Sequence, residues 1–256
     1  MFLKKRYLAE KILGKKGIST LYRGQDTVLN RVVAIKIFHE TCSTSPTLMT
    51  RIEQGMQAAM TLSHPNIVQV YDYGQADGRY FVVMELIDGS DLRRYLRSRH
   101  ILDVERTLII AHDVAMGLGA AHRRGIIHGY VLTPNILIGR DGSIKLTDFG
   151  LGSEPSHTPE QLQGEPTSPA TDIYALGNLM YEMLAGRRTF EGDTPVAIAM
   201  QHIHDQPIPL SQLNPTVPPA LEKIILLCLE KAPENRYSDG NQLARVLEEF
   251  GKAEGF

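Results

Sequence analysis

The spacing of apolar residues changes once along this chain, near residue 91, and this change limits the possible folds more than any other feature. Before that point, branched apolar residues alternate with other types, as in residues 31–38 (RVVAIKIF). A period of two is typical of a β-strand, so Ala34 and Lys36 lie on one face and the valine and isoleucines on the other. The first third therefore predicts a β-sheet.

Two further stretches, 66–74 and 79–86, have the same strand-like composition and are separated by a short turn at 75–78. They predict an antiparallel pair. An alanine- and methionine-rich stretch, 47–62, predicts one helix that ends before His64. The first 86 residues are thus expected to form a small antiparallel β-sheet N-lobe with one main helix.

After residue 91, apolar residues recur every three or four positions, which predicts helices. Asp103 can cap a helix that Gly125 would end, with apolar positions at Val104, Leu108, Ala111, Val114, Leu118 and Ala121. Further helices are predicted at 172–184, from Pro219 and from Ser238, after a short strand in 143–150 (SIKLTDFG). The predicted class is α+β: an N-lobe (1–86) and a larger, mostly helical C-lobe (87–256).

The composition of the chain bears on which partners it can bind and on its location in the cell. The chain has 27 basic and 29 acidic residues. Because basic residues are not in excess, the composition gives no indication of nucleic-acid binding. Only two cysteines, Cys42 and Cys228, are present, which favours a reducing, cytoplasmic location over a disulfide-bonded one. No apolar run is long enough to span a bilayer, so no membrane segment is expected in this chain.

At VAIK (33–36) and DFG (148–150) the chain resembles the protein kinases, and its motif sequences most resemble those of bacterial (Hanks-type) serine/threonine kinases. The resemblance covers nearly the whole chain. It includes 13–24 as a glycine-rich loop, 126–137 (IIHGYVLTPNIL) as a catalytic loop, and the end of an activation segment at 158–161. It implies the two-lobed fold already predicted, with ATP and Mg²⁺ as the ligands of the cleft.

The resemblance also implies roles for individual residues. Lys36 would hold phosphates, Ala34, Leu21 and Leu137 would enclose adenine, and Met84 would be the gatekeeper. The complete implied nucleotide set is Gly14, Leu21, Ala34, Lys36, Met84, Glu85, Ile87, Asp91, Leu137 and Asp148. Asn135 and Asp148 would hold Mg²⁺, for which oxygen ligands are suited.

Two parts of the nucleotide site depart from the family pattern. The glutamate that should pair with Lys36 falls on Gly55, and Glu53 lies two residues away, about 200° around a helix. In the phosphate loop, Lys16 and Ser19 replace glycines. Both changes predict weak ATP binding, and the phosphate loop is equally consistent with a plain hairpin turn.

The catalytic loop departs further. The family's base aspartate falls on Tyr130, and a phenol, with an ordinary pKa near 10, is a poor proton acceptor at neutral pH. The family's arginine falls on Gly129 and its phosphate-binding lysine on Leu132. From Asp148 to Glu160 there are only 12 positions, which leaves little room for a phosphorylated activation segment. His128 is expected to pack rather than to act as a base.

Residues that support the family's fold are kept. Glu160 and Arg236 match a buried ion pair, and Asp172 matches the residue that holds the catalytic-loop backbone. The sequence therefore predicts a non-enzymatic pseudokinase with no catalytic residues, which signals through protein partners or self-association and binds ATP weakly. Two alternatives remain: an active atypical kinase or nucleotidyl-transferase that uses Lys36 and Asp148, and a pure scaffold whose pocket is filled by Lys16 or Tyr130.

Overall fold

The computed structural model describes residues 1–40, 46–150 and 157–255. Cys42, most of the segment after the DFG motif (151–156) and the side chain of Lys16 lie outside the described residues, and so do the expectations placed on them. None of the described helices is long and apolar enough to cross a membrane.

The N-terminal part is a six-stranded antiparallel sheet in the order β1-β2-β3-β4-β6-β5, with one helix. Its elements are β1 (Phe2–Leu3), β2 (Tyr7–Lys16), β3 (Ser19–Asp26), β4 (Arg31–Phe38), α1 (Pro46–Met60), β5 (Val70–Ala76) and β6 (Arg79–Met84). On β4 the predicted alternation is confirmed: Val33, Ile35 and Ile37 pack in an outer cluster with Tyr7 and Phe81. Ala34 and Lys36 therefore face the opposite side, towards the C-lobe.

The C-terminal part is mostly helical, which confirms the predicted α+β architecture. Its elements are β7 (Gly89–Asp91), α2 (Leu92–Arg99), α3 (Val104–His122), β8 (Ile136–Gly139), β9 (Ile144–Leu146), α4 (Pro159–Gln163), α5 (Pro169–Ala185), α6 (Pro195–His204), α7 (Leu210–Leu213), α8 (Pro219–Cys228) and α9 (Gly240–Glu254). Short 3-10 turns lie at Thr133–Asn135 and Pro233–Asn235. Strands β7, β8 and β9 form a second, three-stranded sheet.

Helix α3 has the N-cap and the buried apolar face that the sequence predicted. Asp103 caps it, accepting a hydrogen bond from the Arg106 N–H at 2.7 Å, and the six predicted apolar positions are all buried. Helix α5 is buried on nearly every side and packs against both α3 and α8. This rigid core supports the loops that face the N-lobe.

The strand predicted at 66–74 begins later than expected, at Val70. Residues before it are paired elsewhere: the Leu146 N–H donates to Asn66 O at 2.9 Å, and the Val68 N–H donates to Leu146 O at 2.8 Å. The Asn66 side chain also donates to Ile144 O at 3.0 Å. Local composition predicted a strand correctly, but residues 66–68 pair with β9 of the other lobe.

Candidate active site

A cleft between the two sheets contains a cavity of about 670 Å³. Ligand pockets are commonly of this size. All ten residues predicted for nucleotide binding line this one cavity: Gly14, Leu21, Ala34, Lys36, Met84, Glu85, Ile87, Asp91, Leu137 and Asp148. Tyr130 is not among the described residues that line it, so the cleft is open where the scaffold alternative expected Tyr130 to fill it.

The cavity has further lining residues that the motifs did not indicate, including Leu13, Val32 and Thr147. Val32 lies two positions before Ala34 on β4, and therefore on the same face as Ala34 and Lys36. The period of two could have identified it. Thr147 contributes because it directly precedes Asp148 at the end of β9.

Lys36 pairs with Asp148 inside this cleft. The Lys36 Nζ lies 2.9 Å from Asp148 Oδ1, and the two side chains are only 8% and 11% exposed. A charge this deeply buried needs an opposite charge close by. Asp148 supplies it here, so Lys36 keeps a carboxylate partner although helix α1 offers none.

Helix α1 brings Gly55 to the DFG loop. A Cβ added to Gly150 would lie 3.0 Å from the Gly55 Cα, so the two backbones meet without intervening side chains. Glu53 points elsewhere: its Oε1 accepts a hydrogen bond from the Tyr80 hydroxyl at 2.5 Å, which raises the pKa of Tyr80. Glu53 therefore serves the α1–β6 contact, and the two-residue offset from Gly55 explains why it does not reach Lys36.

The segment that links the lobes is held in place by Glu85. The Glu85 carboxylate lies 3.0 Å from Lys145 Nζ and accepts the Gln69 N–H at 3.2 Å, while the Glu85 N–H donates to Gln69 O at 2.9 Å. Its carboxylate thus fixes the linker to β9. Asp91 caps α2, and its Oδ1 accepts the Arg94 N–H at 2.9 Å. One of its two carboxylate oxygens is therefore engaged in capping the helix.

The catalytic loop is fixed from below by Asp172. This fully buried carboxylate accepts the backbone N–H groups of His128 and Gly129, each at 2.8 Å, and lies 2.9 Å from His122 Nε2. The Gly240 N–H donates to His122 Nδ1 at 3.1 Å, so the ring proton is on Nε2 and points at Asp172. The predicted role of Asp172 in holding the loop backbone is confirmed.

His128 packs within this support. It is 1% exposed, its ring lies 4.4 Å from that of Phe149, and its Nδ1 accepts the Tyr130 N–H at 3.1 Å. Nε2 therefore carries the proton and donates to Thr147 O at 3.0 Å. Burial lowers the pKa of His128 and favours the neutral ring. A fully engaged, buried imidazole is structural, as expected.

Gly129 occupies a backbone conformation that suits glycine. Its φ is +72°, a left-handed value that costs most other residues about 1 kcal/mol. Its carbonyl accepts the Gln161 Nε2–H at 2.9 Å. Gln161, from α4, was not expected in the site, and no local pattern could have identified it because the contact spans 32 residues.

Tyr130 and Asn135 are joined across the same loop. The Asn135 Nδ2 donates to Tyr130 O at 2.9 Å, and the Arg51 guanidinium lies 5.7 Å from the centre of the Tyr130 ring. The distance is within the range of a cation–π contact. A cation from α1 thus stands beside the loop in which Gly129 and Leu132 supply none.

The two residues expected to hold a metal are brought close by the backbone. The Thr147 N–H donates to Asn135 O at 3.0 Å, which places Asn135 beside the residue that precedes Asp148. The described residues contain no cluster of three or more His, Cys, Asp or Glu side chains that could hold an ion by themselves. Asn135 and Asp148 fit a hard cation only as a partial set, completed by oxygens from a bound ligand.

The described end of the activation segment is anchored in the C-lobe. Arg236 forms two hydrogen bonds with Glu160, at 2.9 and 3.0 Å, and both side chains are buried. Arg236 also donates to the carbonyls of Glu230, Lys231 and Ala170. Burial alone would raise the pKa of Glu160, but the hydrogen bonds and charge of Arg236, together with hydrogen bonds from the Glu160 backbone and Thr171, keep that pKa below its ordinary value. The predicted ion pair is confirmed.

Comparisons with known proteins agree with this geometry. The family model described as Protein kinase domain matches residues 7–248. A probable serine/threonine-protein kinase of Clostridium acetobutylicum is 36% identical over 96% of this chain and 40% of its own length. Serine/threonine-protein kinase PrkC of Bacillus subtilis is 34% identical over 93% of this chain and 39% of its own length. The chain thus spans about two-fifths of the length of these curated relatives.

Solved structures give the same result. The kinase domain of Mycobacterium tuberculosis PknI is 28% identical, with a TM-score of 0.84, and the match covers 95% of each chain. The curated relatives contradict the prediction that this chain is not an enzyme, since they are serine/threonine protein kinases at 34–36% identity over most of the chain. That prediction gave decisive weight to Gly55, Gly129, Tyr130 and Leu132 and to the short activation segment, against similarity that extends over the whole chain.

Proposed function

Because this chain belongs to the protein kinase domain family, we propose that it transfers the γ-phosphoryl group of ATP to a serine or threonine hydroxyl of a protein. The observation that carries this proposal is the open interlobe cavity of about 670 Å³ with the Lys36–Asp148 pair inside it. That pair supplies a cation for phosphate oxygens and a carboxylate for a metal. The activity, substrates and partners of the longer protein lie within this proposal.

ATP would bind with its adenine between Leu21, Ala34 and Leu137 and its phosphates towards Lys36. Among the described residues, no protein acceptor takes the Ile87 N–H, so this linker amide is available to a base. Mg²⁺, when bound, would screen the phosphate charges, and Asn135 and Asp148 would contribute its protein oxygens. Met84 also lines the cavity.

Transfer does not require a carboxylate at position 130. Phosphoryl transfer passes through a loose transition state, in which positioning and electrostatic stabilisation do most of the work and the nucleophile is only weakly bonded. A missing general base typically costs a factor of about 10²–10⁴ in rate. Lys36 and Arg51 are the cations that we assign to the reacting end of the site. We therefore propose a working kinase with a modest turnover rate.

Protein partners or self-association, and the cytoplasmic location, remain predictions from the sequence. The nucleotidyl-transferase alternative uses the same Lys36 and Asp148 but moves a different part of ATP. Label carried in the γ-phosphate reports phosphoryl transfer, and label in the α-phosphate reports nucleotidyl transfer, so the two reactions are separable in one assay.

The test is transfer of labelled phosphate to a mixture of serine- and threonine-containing peptides. Wild-type protein should transfer the γ-label, and Asp148→Asn should lower the rate roughly 10²-fold or more, because it removes the charge that holds the metal. Asp141→Asn is the matched control, since Asp141 lies in the exposed β8–β9 turn and hydrogen-bonds Ser143. Transfer that is equal in wild type and Asp148→Asn, or absent from both, would contradict the proposal.

A further inference from the structure

A second cavity, of about 650 Å³, lies in the helical lobe beside the catalytic loop. Its walls come from α2, from Leu132 and Thr133 of the loop, from α5 and from α6. Pro134 lines both this cavity and the interlobe cavity, so the two share a wall at the catalytic loop. A molecule bound here would lie next to the nucleotide cleft.

The mouth of the second cavity is basic. Arg93 and Arg97 of α2 and Arg188 after α5 line it and are exposed, and none of them has a carboxylate within 4.0 Å among the described residues. Helix α2 itself has the sequence LRRYLRSR, four arginines and no acid in eight residues. The overall charge of −2 hides this local excess. Unpaired guanidinium groups at one opening attract and orient carboxylates.

The interior of the cavity contains polar atoms without partners. Thr189 Oγ1 and Asn178 Oδ1 are buried and form no hydrogen bond with the described residues, and Thr189 is only 8% exposed. A buried polar atom left unpaired costs about 1–3 kcal/mol. Thr189 can donate or accept, and Asn178 Oδ1 accepts, which suits the alternating N–H and C=O groups of a peptide backbone.

Glu182 is the one acidic side chain among the described lining residues. Burial raises the pKa of its carboxyl group, and Arg188 opposes that rise. It lies on α5 with Asn178, one helical turn away. Because Arg188 already interacts with Glu182, acidic groups of a ligand would bind at Arg93 and Arg97 of α2.

We propose that the second cavity binds the protein substrate as an acidic peptide, with aspartate or glutamate close to the serine or threonine that is phosphorylated. This inference rests on the proposed kinase function and adds its substrate class. The carboxylates pair with Arg93 and Arg97, and the peptide backbone bonds Asn178 and Thr189. Since the cavity adjoins Leu132 and Pro134, a peptide seated there presents its hydroxyl to the nucleotide cleft.

The test measures binding without ATP. A fluorescent peptide with one threonine flanked by glutamates is titrated with protein, and its anisotropy is compared with that of a peptide in which lysine replaces each glutamate. The acidic peptide should bind and weaken as salt rises, and the lysine peptide should not bind. The double variant Arg93→Gln/Arg97→Gln should raise the Kd roughly 2- to 30-fold, the range expected for two exposed pairs. Arg245→Gln, an exposed arginine on α9, should leave it unchanged.

A Thr189 variant and an oligonucleotide competitor test the buried hydroxyl and the class of ligand. Thr189→Val keeps the shape of the side chain but removes the hydroxyl, and should weaken the acidic peptide several-fold. A single-stranded oligonucleotide of equal charge should compete poorly. Equal binding of both peptides, an unaffected arginine double variant, or full competition by the oligonucleotide would overturn the inference.

The outcomes also separate this inference from the proposed function. Acidic peptide binding without any phosphate transfer would support the peptide site and contradict the kinase proposal. Transfer of phosphate at equal rates to the two peptides would support the kinase proposal and contradict the peptide site. The anisotropy assay contains no nucleotide, so its result does not depend on phosphate transfer.

Discussion

The inner and outer sides of the catalytic loop differ in how far they follow the family pattern. On the inner side, His128 packs on Phe149, and Asp172 accepts two backbone N–H groups at 2.8 Å. On the outer side, Tyr130 and Leu132 stand where a carboxylate and a lysine are expected. The contrast indicates that the loop's shape depends on buried groups, whereas the side chains on its outer side can change without altering that shape.

The inner side of the loop depends on the buried Glu160–Arg236 pair for stability. Arg236→Ala should lower the free energy of unfolding by roughly 3–5 kcal/mol, because it leaves the Glu160 carboxylate buried without its partner. Denaturant unfolding measures this. Arg187→Ala, which removes an exposed pair with Glu191, is the control and should cost no more than about 1 kcal/mol. Equal losses in the two variants would show that the framework does not depend on the Glu160–Arg236 pair.

The second prediction concerns the outer side. Tyr130→Asp should raise the rate of phosphate transfer by roughly 10²-fold, because a carboxylate at this position can accept the proton of the substrate hydroxyl. Single-turnover transfer from labelled ATP is the measurement. Tyr130→Asn has nearly the same shape without the charge and should give no gain. An unchanged rate in Tyr130→Asp would mean that something other than the missing base limits the reaction.

A smaller effect is expected at helix α1. Glu53→Gln should lower stability by at most about 1 kcal/mol, because a neutral amide oxygen accepts the Tyr80 hydroxyl less strongly than a carboxylate, and it should leave ATP affinity unchanged. Tyr80→Phe removes this hydrogen bond altogether, so it should cost at least as much stability and also leave ATP affinity unchanged. A tenfold loss of ATP affinity in Glu53→Gln alone would instead assign Glu53 to Lys36 when nucleotide is bound.

Periodicity predicted the features that depend on local spacing. The two faces of β4 and the buried side of α3 follow from repeats of two and of three to four residues, and both were identified correctly. The family motifs went further, because all ten residues they indicated line one cavity. In each case the signal is contained in a short segment.

The features that were missed depend on partners distant in sequence. Residues 66–68 join β9 of the other lobe, Gln161 reaches Gly129, and Lys36 takes Asp148 in place of a helix glutamate. Each of these contacts replaces another possible contact, and the residues involved come together only in the folded chain. The basic cavity under the catalytic loop is of the same kind, since α2, α5 and α6 contribute to it from separate stretches.

The proposed function requires Lys36 and Asp148 to hold ATP with Mg²⁺ in the interlobe cleft although the outer side of the loop has changed. Thermal unfolding of the wild type and of Asp148→Asn, with ATP titrated in the presence and absence of Mg²⁺, measures whether they do. Wild-type stability should rise with ATP and Mg²⁺ together, by about 2.7 kcal/mol at a hundred times the Kd, and Asp148→Asn should lose the Mg²⁺-dependent part. A wild-type melting temperature that stays flat up to millimolar ATP with Mg²⁺ would contradict the claim.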